Sequence, residues 1–543
     1  MILSHGPERS RENGYRVLQI RPFRKIIMGH EYITDPGLVD WRRAAADMRL
    51  PMMPFVDGRH VESTGTDSYT CLNPATGRSL GDFPAGSSED VARAVDAGNR
   101  SFHRGLWSAV SPKARQSVIL ELSDLIRKHA PTIAVIDTLQ IGKPVSQSLS
   151  DAHWASRFFQ YYAEAGDKIY DSAVPTDSRT IAILRRVPHG VVGAIIPWNF
   201  PIVNAALKLA PALMAGNSVV LKPSELSSGS ALYLAELAQQ AGLPDGILNI
   251  VPGLGGTVGT ALAIHQDVDM LTFTGSTTTG KHLAQLAGRS GLKPLMLECG
   301  GKSPHVVLPD VEDLDRIADT VVADIFRNQG QVCSAGSRLL VHENIASKLV
   351  ARIKQHAEAI VPGDPLDADC TFGPLASEAQ LKRVLSYIER GKKEGARLIH
   401  GGKKCRKNSD GFYLQPTVFT DVDERSCLAT DEIFGPILSI TIFRDGAEAV
   451  RLANATPYGL AATVWTRDVG LGEAMARRIV AGVVTVRDDR SPGTGGGMAL
   501  ASEPAKLSGY GVQGGVHGTY PYTRLKAVQH LLAGHGFREA AGC

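Results

Sequence analysis

Cys333 stands in the middle of the run Phe-Arg-Asn-Gln-Gly-Gln-Val-Cys-Ser-Ala-Gly-Ser-Arg (Phe326–Arg338), where small, flexible neighbours leave a thiol open to approach. A thiol so placed is a candidate nucleophile, active as its thiolate, although a lone cysteine is more often a small apolar filler. Three further segments carry groups that such a nucleophile needs. Ile196-Pro197-Trp198-Asn199-Phe200-Pro201 offers a side-chain amide fixed in a proline-bounded loop. Leu297-Glu298-Cys299-Gly300-Gly301-Lys302-Ser303-Pro304 sets a carboxylate beside paired glycines, and Leu221-Lys222-Pro223-Ser224-Glu225 follows a strand-like run.

The elements that must hold these groups can be read from periodicity. Short apolar, mostly β-rich runs occur at Val191–Pro197, Ser218–Lys222, Ile247–Pro252, Met270–Thr274 and Leu295–Leu297, with helical patterns at Ser227–Ala241 and Thr278–Ala287. Alternation of strand and helix predicts a parallel sheet covered on both faces. A second alternating set follows in His305–Leu308, a helix from about Leu314 to Asn328, Arg338–Val341, Ile437–Phe443 and Ala461–Thr466, and it carries Cys333. The fold class expected is therefore α/β, in more than one domain, since 543 residues exceed a single compact core.

Composition narrows the function. The 58 basic and 55 acidic side chains leave a net charge of +3, which gives no reason to propose nucleic acid or an anionic membrane as partner. Seven cysteines lie scattered at 71, 299, 333, 370, 405, 427 and 543, with no CxxC pair and no Cys/His spacing suited to zinc, so no metal is expected. Reduced thiols in a cytoplasmic compartment fit that pattern. Residues 190–221 are apolar, but Pro197, Asn199, Pro201, Asn204, Lys208, Pro211 and Asn217 interrupt them, so a buried strand, loop and helix is read there rather than a membrane span. Residues 1–27 are Arg-rich with little periodicity and lack an apolar signal core. They are expected to be a disordered extension or an upstream start ahead of a helix near Asp40–Ala44, with a transit peptide as the alternative.

Taken together and in this order, the four chemical segments resemble the aldehyde dehydrogenase superfamily, from about Pro54 to Lys526. The nearest group by this likeness oxidises γ-glutamyl-γ-aminobutyraldehyde and 4-guanidinobutyraldehyde. It shares the patterns at Trp107–Pro112, Tyr161–Ala165 and Trp465–Asp468. The resemblance implies a Rossmann-like NAD-binding domain over 28–166 and 190–300, an α/β catalytic domain over 301–500, and a small β-flap over 167–189 and 517–533. Such flaps join subunits, so a homo-oligomer, dimer or tetramer, is expected. The resemblance also implies that Cys333 attacks the aldehyde, that the Asn199 amide and the Cys333 backbone N–H receive the oxyanion, and that Glu298 is the general base for hydrolysis of the thioester. Ile196, Pro197 and Trp198 would border the cofactor, and Lys222, Ser224 and Glu225 would hold its adenosine end. A carboxylate at Glu225 repels a 2′-phosphate, so NAD is expected over NADP. Gly255 lies in a glycine turn that does not match GxGxxG. Gly275 and Ser276 open a helix whose N-terminus suits a pyrophosphate. Glu432 and Phe434 match the nicotinamide-ribose segment.

Departures from the family concern the substrate. Phe200 and Val332 line the tunnel by resemblance, but Arg327 replaces an aromatic of the nearest group. Succinate semialdehyde enzymes carry Arg at that place to grip a carboxylate. Leu207 stands where one group has Trp and the other a second Arg. Arg327 therefore either faces the tunnel and prefers an acidic tail, or folds away to the surface or an internal Glu. Near the C-terminus the usual Arg and acid have become Val512 and Gln513. The family's Glu that pairs with that Arg and with a second Arg is here Arg524, the second Arg is here Pro294, and Thr485-Val486-Arg487 departs from the family's Trp-Val-Asn. The expected function is NAD-dependent oxidation of an ω-substituted aliphatic aldehyde of the semialdehyde or amino-aldehyde type. The alternatives are a catalytically weak scaffold of the same fold and an NADP enzyme of the same chemistry.

Overall fold

The structure is a computed structural model that describes residues 36–406, 409–491 and 496–532. The extension over 1–27 lies outside these. The expected N-terminal helix is present as Trp41–Ala46, capped by the Asp40 carboxylate, which accepts the Arg43 N–H.

Two sheets carry the chemistry. In the first, five parallel strands run in the spatial order Leu248–Ile250, Ser218–Lys222, Val191–Ile195, Met270–Thr274, Leu295–Glu298, with short antiparallel strands at both edges. Chain order reverses on either side of Val191–Ile195, so the carboxyl ends of Val191–Ile195 and Met270–Thr274 face a topological switch point, where open α/β sheets bind ligands. The strand Val191–Ile195 is buried at every position, as a run covered on both faces must be. The second sheet has six parallel strands, in the order Thr417–Thr420, Ile437–Phe443, Arg338–His342, Pro304–Val307, Ala461–Trp465, Val483–Arg487, and an antiparallel edge strand Arg397–His400. Thr417–Thr420, Val483–Arg487 and Arg397–His400 are strands beyond those read from the sequence, because short runs of mixed polarity carry a weak period-2 signal. The helix expected to reach Asn328 ends at Phe326.

Each sheet has its own core. Val191, Val220, Val251, Leu271 and Phe273 pack in the first, and Ile317, Val321, Leu339, Ile440 and Trp465 in the second. Full burial of such an aliphatic side chain contributes about 1.5–3 kcal/mol. The chain then returns to the first sheet: Gly509–Tyr510 pairs antiparallel with Leu297–Glu298. Gly509 has φ +115, and a Cβ there would meet the Leu297 carbonyl oxygen at 1.9 Å, so only glycine lets the C-terminal segment close over Glu298. Within the segments expected to form a flap, the described residues 167–189 and 517–532 contribute a separate antiparallel sheet of Ser172–Val174, Thr180–Pro188 and Thr523–Leu531.

Candidate active site

Helix Leu314–Phe326 stops because the next residues leave right-handed space. Asn328, Gln329 and Gly330 follow one another at φ 47, 57 and 70. Two non-glycine residues held left-handed cost free energy, of order 1–2 kcal/mol each, so the surroundings must hold them there. They do. The Asn328 amide donates to the Asn199 carbonyl at 2.9 Å and to the Gln331 carbonyl at 3.3 Å. Gln331 returns a bond to the Asn328 carbonyl at 3.0 Å and accepts the Ala376 N–H at 3.0 Å. The Asn328 N–H donates to Gln147 at 3.1 Å. Asn328, Gln329 and Gln331 are fully buried, so the reversal that delivers Cys333 is wired on all sides.

The same wiring orients Asn199. One N–H of its amide donates to the Gln331 carbonyl at 2.9 Å, which fixes the plane of the group and leaves its second N–H for another acceptor. Pro201 starts the helix Pro201–Ala215 immediately after, where its missing N–H is harmless.

Cys333, Glu298 and Asn199 all line one cavity of about 860 Å³. Burial, with the Glu432 and Glu298 carboxylates adding to it, pushes the Cys333 thiol up to about 12. Of the two routes open to such a nucleophile, a lowered pKa or a base that takes its proton, the surroundings leave the second. Burial also pushes Glu298 up to about 7, opposed by the Lys208 cation. A carboxyl poised near neutrality can take a proton and give it up again. Gly300 and Gly301 provide the room expected of them: a Cβ would meet the Glu432 carboxylate at 2.2 Å and the Cys333 carbonyl oxygen at 2.3 Å respectively.

Lys208 belongs to this centre although the sequence reading used it only to break an apolar run. It is fully buried, its Nζ donates to Gln513 Oε1 at 2.9 Å, and burial pulls it down to about 8 while Glu298 holds it up. The signal available was one lysine in an otherwise apolar helix, a position where charge must have a partner. Its partner lies 305 residues further on. Gln513 thus stands beside a buried cation as a neutral acceptor. Arg524 and Pro294 are exposed and Val512 is half-buried.

On the cofactor side, Pro197, Trp198, Gly275, Ser276, Glu432 and Phe434 line the same cavity. Ser276 caps the helix Thr277–Ser290 by accepting the Thr279 N–H at 3.2 Å. Glu432 accepts the Gly301 N–H at 3.1 Å and is pushed up to about 7 by burial. Phe434, at φ 62, meets Trp198 edge to face at 5.4 Å. Ile196, Lys222, Ser224, Glu225 and Gly255 lie outside the cavity lining. Ile196 donates its N–H to the Lys222 carbonyl at 3.1 Å. Lys222 Nζ donates to the Pro223 carbonyl at 2.7 Å and stands 3.5 Å from Glu225, whose side chain is 40% exposed. Ser224 Oγ accepts the Leu226 N–H at 3.3 Å. Gly255 is exposed at the start of a short π-helical turn, Gly255–Gly259, and an added Cβ there would meet nothing within 4 Å, so close approach of a neighbour does not require glycine.

The far wall comes from two helices. Phe200, Val203, Asn204 and Leu207, at the start of Pro201–Ala215, and Asp151, Trp154 and Phe158, on Val145–Ala165, face the cavity at three- and four-residue spacings. Val332 and Arg327 complete it. Arg327 lines the cavity with a half-exposed side chain, and its Nη2 lies 3.6 Å from Asp151 Oδ1, so the acid beside it is an aspartate and not the Glu that the alternative named. Among the described residues, no group of three or more His, Cys, Asp or Glu could hold a metal ion, and no helix is long and apolar enough to cross a membrane.

Comparison with known proteins places the site in a family. The model of the aldehyde dehydrogenase family matches residues 60–528. The NADP/NAD-dependent aldehyde dehydrogenase PuuC of Escherichia coli is 42% identical over 492 residues, which cover 90% of this chain and 98% of that protein. An indole-3-acetaldehyde dehydrogenase solved with NAD+ superposes with a TM-score of 0.89 at 40% identity, over 91% of this chain and 99% of its own. The γ-glutamyl-γ-aminobutyraldehyde dehydrogenase of Burkholderia cenocepacia J2315 superposes with a TM-score of 0.88 at 43% identity, over the same shares of 91% and 99%.

Proposed function

Because the chain belongs to the aldehyde dehydrogenase family, we propose that it oxidises an ω-substituted aliphatic aldehyde to the acid through a thioester on Cys333, using NAD. The observation that carries this reading is the convergence of Cys333, Glu298 and Asn199 on one cavity that also holds a helix N-terminus at Ser276 and a carboxylate at Glu432. Cys333 Sγ bonds to the aldehyde carbon as a base takes the thiol proton, and Glu298, near 7, is the acceptor available. The free N–H of Asn199 and the Cys333 backbone N–H receive the oxygen that becomes negative. NAD, when bound, supplies the acceptor for the hydride that leaves this carbon, and the thioester remains. Glu298 gives the thiol's proton up to solvent, then removes a proton from water as it attacks the thioester carbon. The carbon–sulfur bond breaks, the acid leaves, and that proton passes from Glu298 to the Cys333 sulfur.

For the cofactor, Glu225 beside the buried Lys222 supports NAD, because a half-exposed carboxylate at the ribose repels an added phosphate. Glu225→Gln should narrow the NAD over NADP ratio of kcat/KM several-fold, and a wild-type enzyme that prefers NADP would remove Glu225 from this role. For the substrate, Arg327 supports a tail that ends in a carboxylate. A screen of NADH formation over aldehydes with acidic, basic and neutral tails should place an acid-tailed aldehyde above a neutral one of equal length. The three-stranded sheet exposes Ile181, Leu525 and Leu531, at 49, 59 and 78%, which supports its use in a homo-oligomer. The six cysteines among the described residues are unbridged, which fits a reducing, cytoplasmic compartment.

A further inference from the structure

Behind the tail-binding wall lies a group of charges that the chemistry does not use. Gly142, at φ 70, ends the helix Ala130–Ile141 and turns the chain through Lys143-Pro144 into Val145–Ala165, which brings Lys143 against Asp151. Both side chains are buried, at 1 and 2% exposure, and Lys143 Nζ is paired with Asp151 Oδ2. The other oxygen of the same carboxylate, Oδ1, stands 3.6 Å from Arg327 Nη2. Lys143 Nζ also lies 3.6 Å from the centre of the Phe200 ring, and Arg327 Cζ lies 5.2 Å from it. One anion thus sits between two cations, tightly held by the one inside the protein and loosely by the one on the cavity.

We propose that Lys143 is a positioning residue for substrate selection: by claiming Asp151 from behind, it leaves the Arg327 guanidinium free to bind the carboxylate tail of an aldehyde. The proposal rests on the reading of Arg327 given above. Burial pulls Lys143 down, and the Asp151 and Asp137 carboxylates hold its charge in place. Asp137, fully buried, is itself pushed up to about 7 and so gives up part of its claim on Lys143 as the pH falls. Lys143 and Asp151 then cancel, and the charge that remains toward the cavity is that of Arg327. Without Lys143, Asp151 would be a buried anion with Arg327 as its one remaining ion-pair partner among the described residues. An uncompensated buried charge is costly, so Arg327 would be drawn into direct pairing and the wall would become neutral. Asp151 is therefore a competitor for Arg327, and Lys143 decides the competition.

The test compares two straight-chain aldehydes of equal length, one ending in a carboxylate and one in a methyl group, with the full-length enzyme, saturating NAD and a fixed pH. Lys143→Met should lower the acidic-to-neutral ratio of kcat/KM by roughly tenfold, mainly through KM of the acidic aldehyde. Turnover of the neutral aldehyde reports that the variant is folded. Asp151→Asn added to Lys143→Met should restore the ratio, since the competitor is gone. An unchanged ratio in a folded Lys143→Met enzyme, or a double variant that fails to restore it, overturns the proposal. If Lys143→Met does not fold, Asp151→Asn alone decides: it must raise the ratio, and an equal or lower ratio is a refutation. A wild-type enzyme with no preference for the acidic tail overturns the Arg327 reading itself, which is a separate failure.

Discussion

The two ends of the cavity are built on opposite principles. Around Cys333, the residues Asn199, Asn328 and Gln331 are buried and tied into one network by bonds of 2.9–3.3 Å, which hold two non-glycine residues in left-handed backbone. At the tail end, Arg327 is half exposed and approaches Asp151 at 3.6 Å, longer than a good charge-assisted hydrogen bond. Reaction geometry tolerates little error, while choice among substrates asks only for a difference in binding. Substitutions at the wired end should therefore act on kcat, and substitutions at the loose end should re-rank substrates.

The largest effect should come from Cys333→Ser, which removes the nucleophile while leaving the cofactor contacts alone. Aldehyde oxidation should fall by at least ~10³-fold with NAD affinity near wild type. Full activity in this variant, measured by NADH formation, would break the wired-end half of the comparison. Next comes Glu298→Gln. Deacylation should slow by about 10²–10⁴-fold, more than acylation, so a burst of NADH should appear or grow before a slow steady state. An unchanged steady-state rate would assign water activation to another group.

A pH profile sharpens the picture further. Glu298 must be deprotonated to act, and its pKa is near 7 with the Lys208 cation holding it down against burial. Activity should then rise with pH through about 7. Removing the cation in Lys208→Met should raise the Glu298 pKa and move the acidic limb of kcat to higher pH, by about one unit. Rates should drop near pH 6–7 and recover in part above 8. A limb that stays in place would mean that Lys208 only supports packing. The smallest effect belongs to the loose end: Arg327→Phe should cost roughly tenfold in kcat/KM for a carboxylate-tailed aldehyde, with the neutral aldehyde little changed. Equal acidic-to-neutral ratios in wild type and variant would make Arg327 structural.

What the sequence made legible follows the range of the interactions. The parallel strands from Val191 to Glu298 could be read because continuous apolar runs separated by helical patterns leave few alternatives. Cys333, Asn199, Glu298, Ser276 and Glu432 could be found because each is marked by its immediate neighbours, and all five line the one cavity. Lys208 and the Lys143–Asp151 pair escaped notice because what defines them is burial and a distant partner. Local sequence marks Lys208 only as an interruption, and nothing near Lys143 announces that Arg327 stands across the same carboxylate. The loss of charge at Val512, Gln513 and Pro294, with its reversal at Arg524, could be seen in the sequence. Its consequence at Lys208, a neutral amide accepting from a buried cation, needed coordinates.

The glycine at 330 joins two parts of the machine. A Cβ there would lie 2.2 Å from the Gly435 carbonyl oxygen, so the turn before Cys333 and the loop carrying Glu432 and Phe434 touch backbone to backbone. No side chain lies between them to act as a cushion. Displacement of one loop must be transmitted to the other or open a gap, and a methyl group at position 330 would work as a wedge. The thiol and the carboxylate of Glu432 consequently belong to a single mechanical unit, and a probe placed on either loop would register what happens at the other.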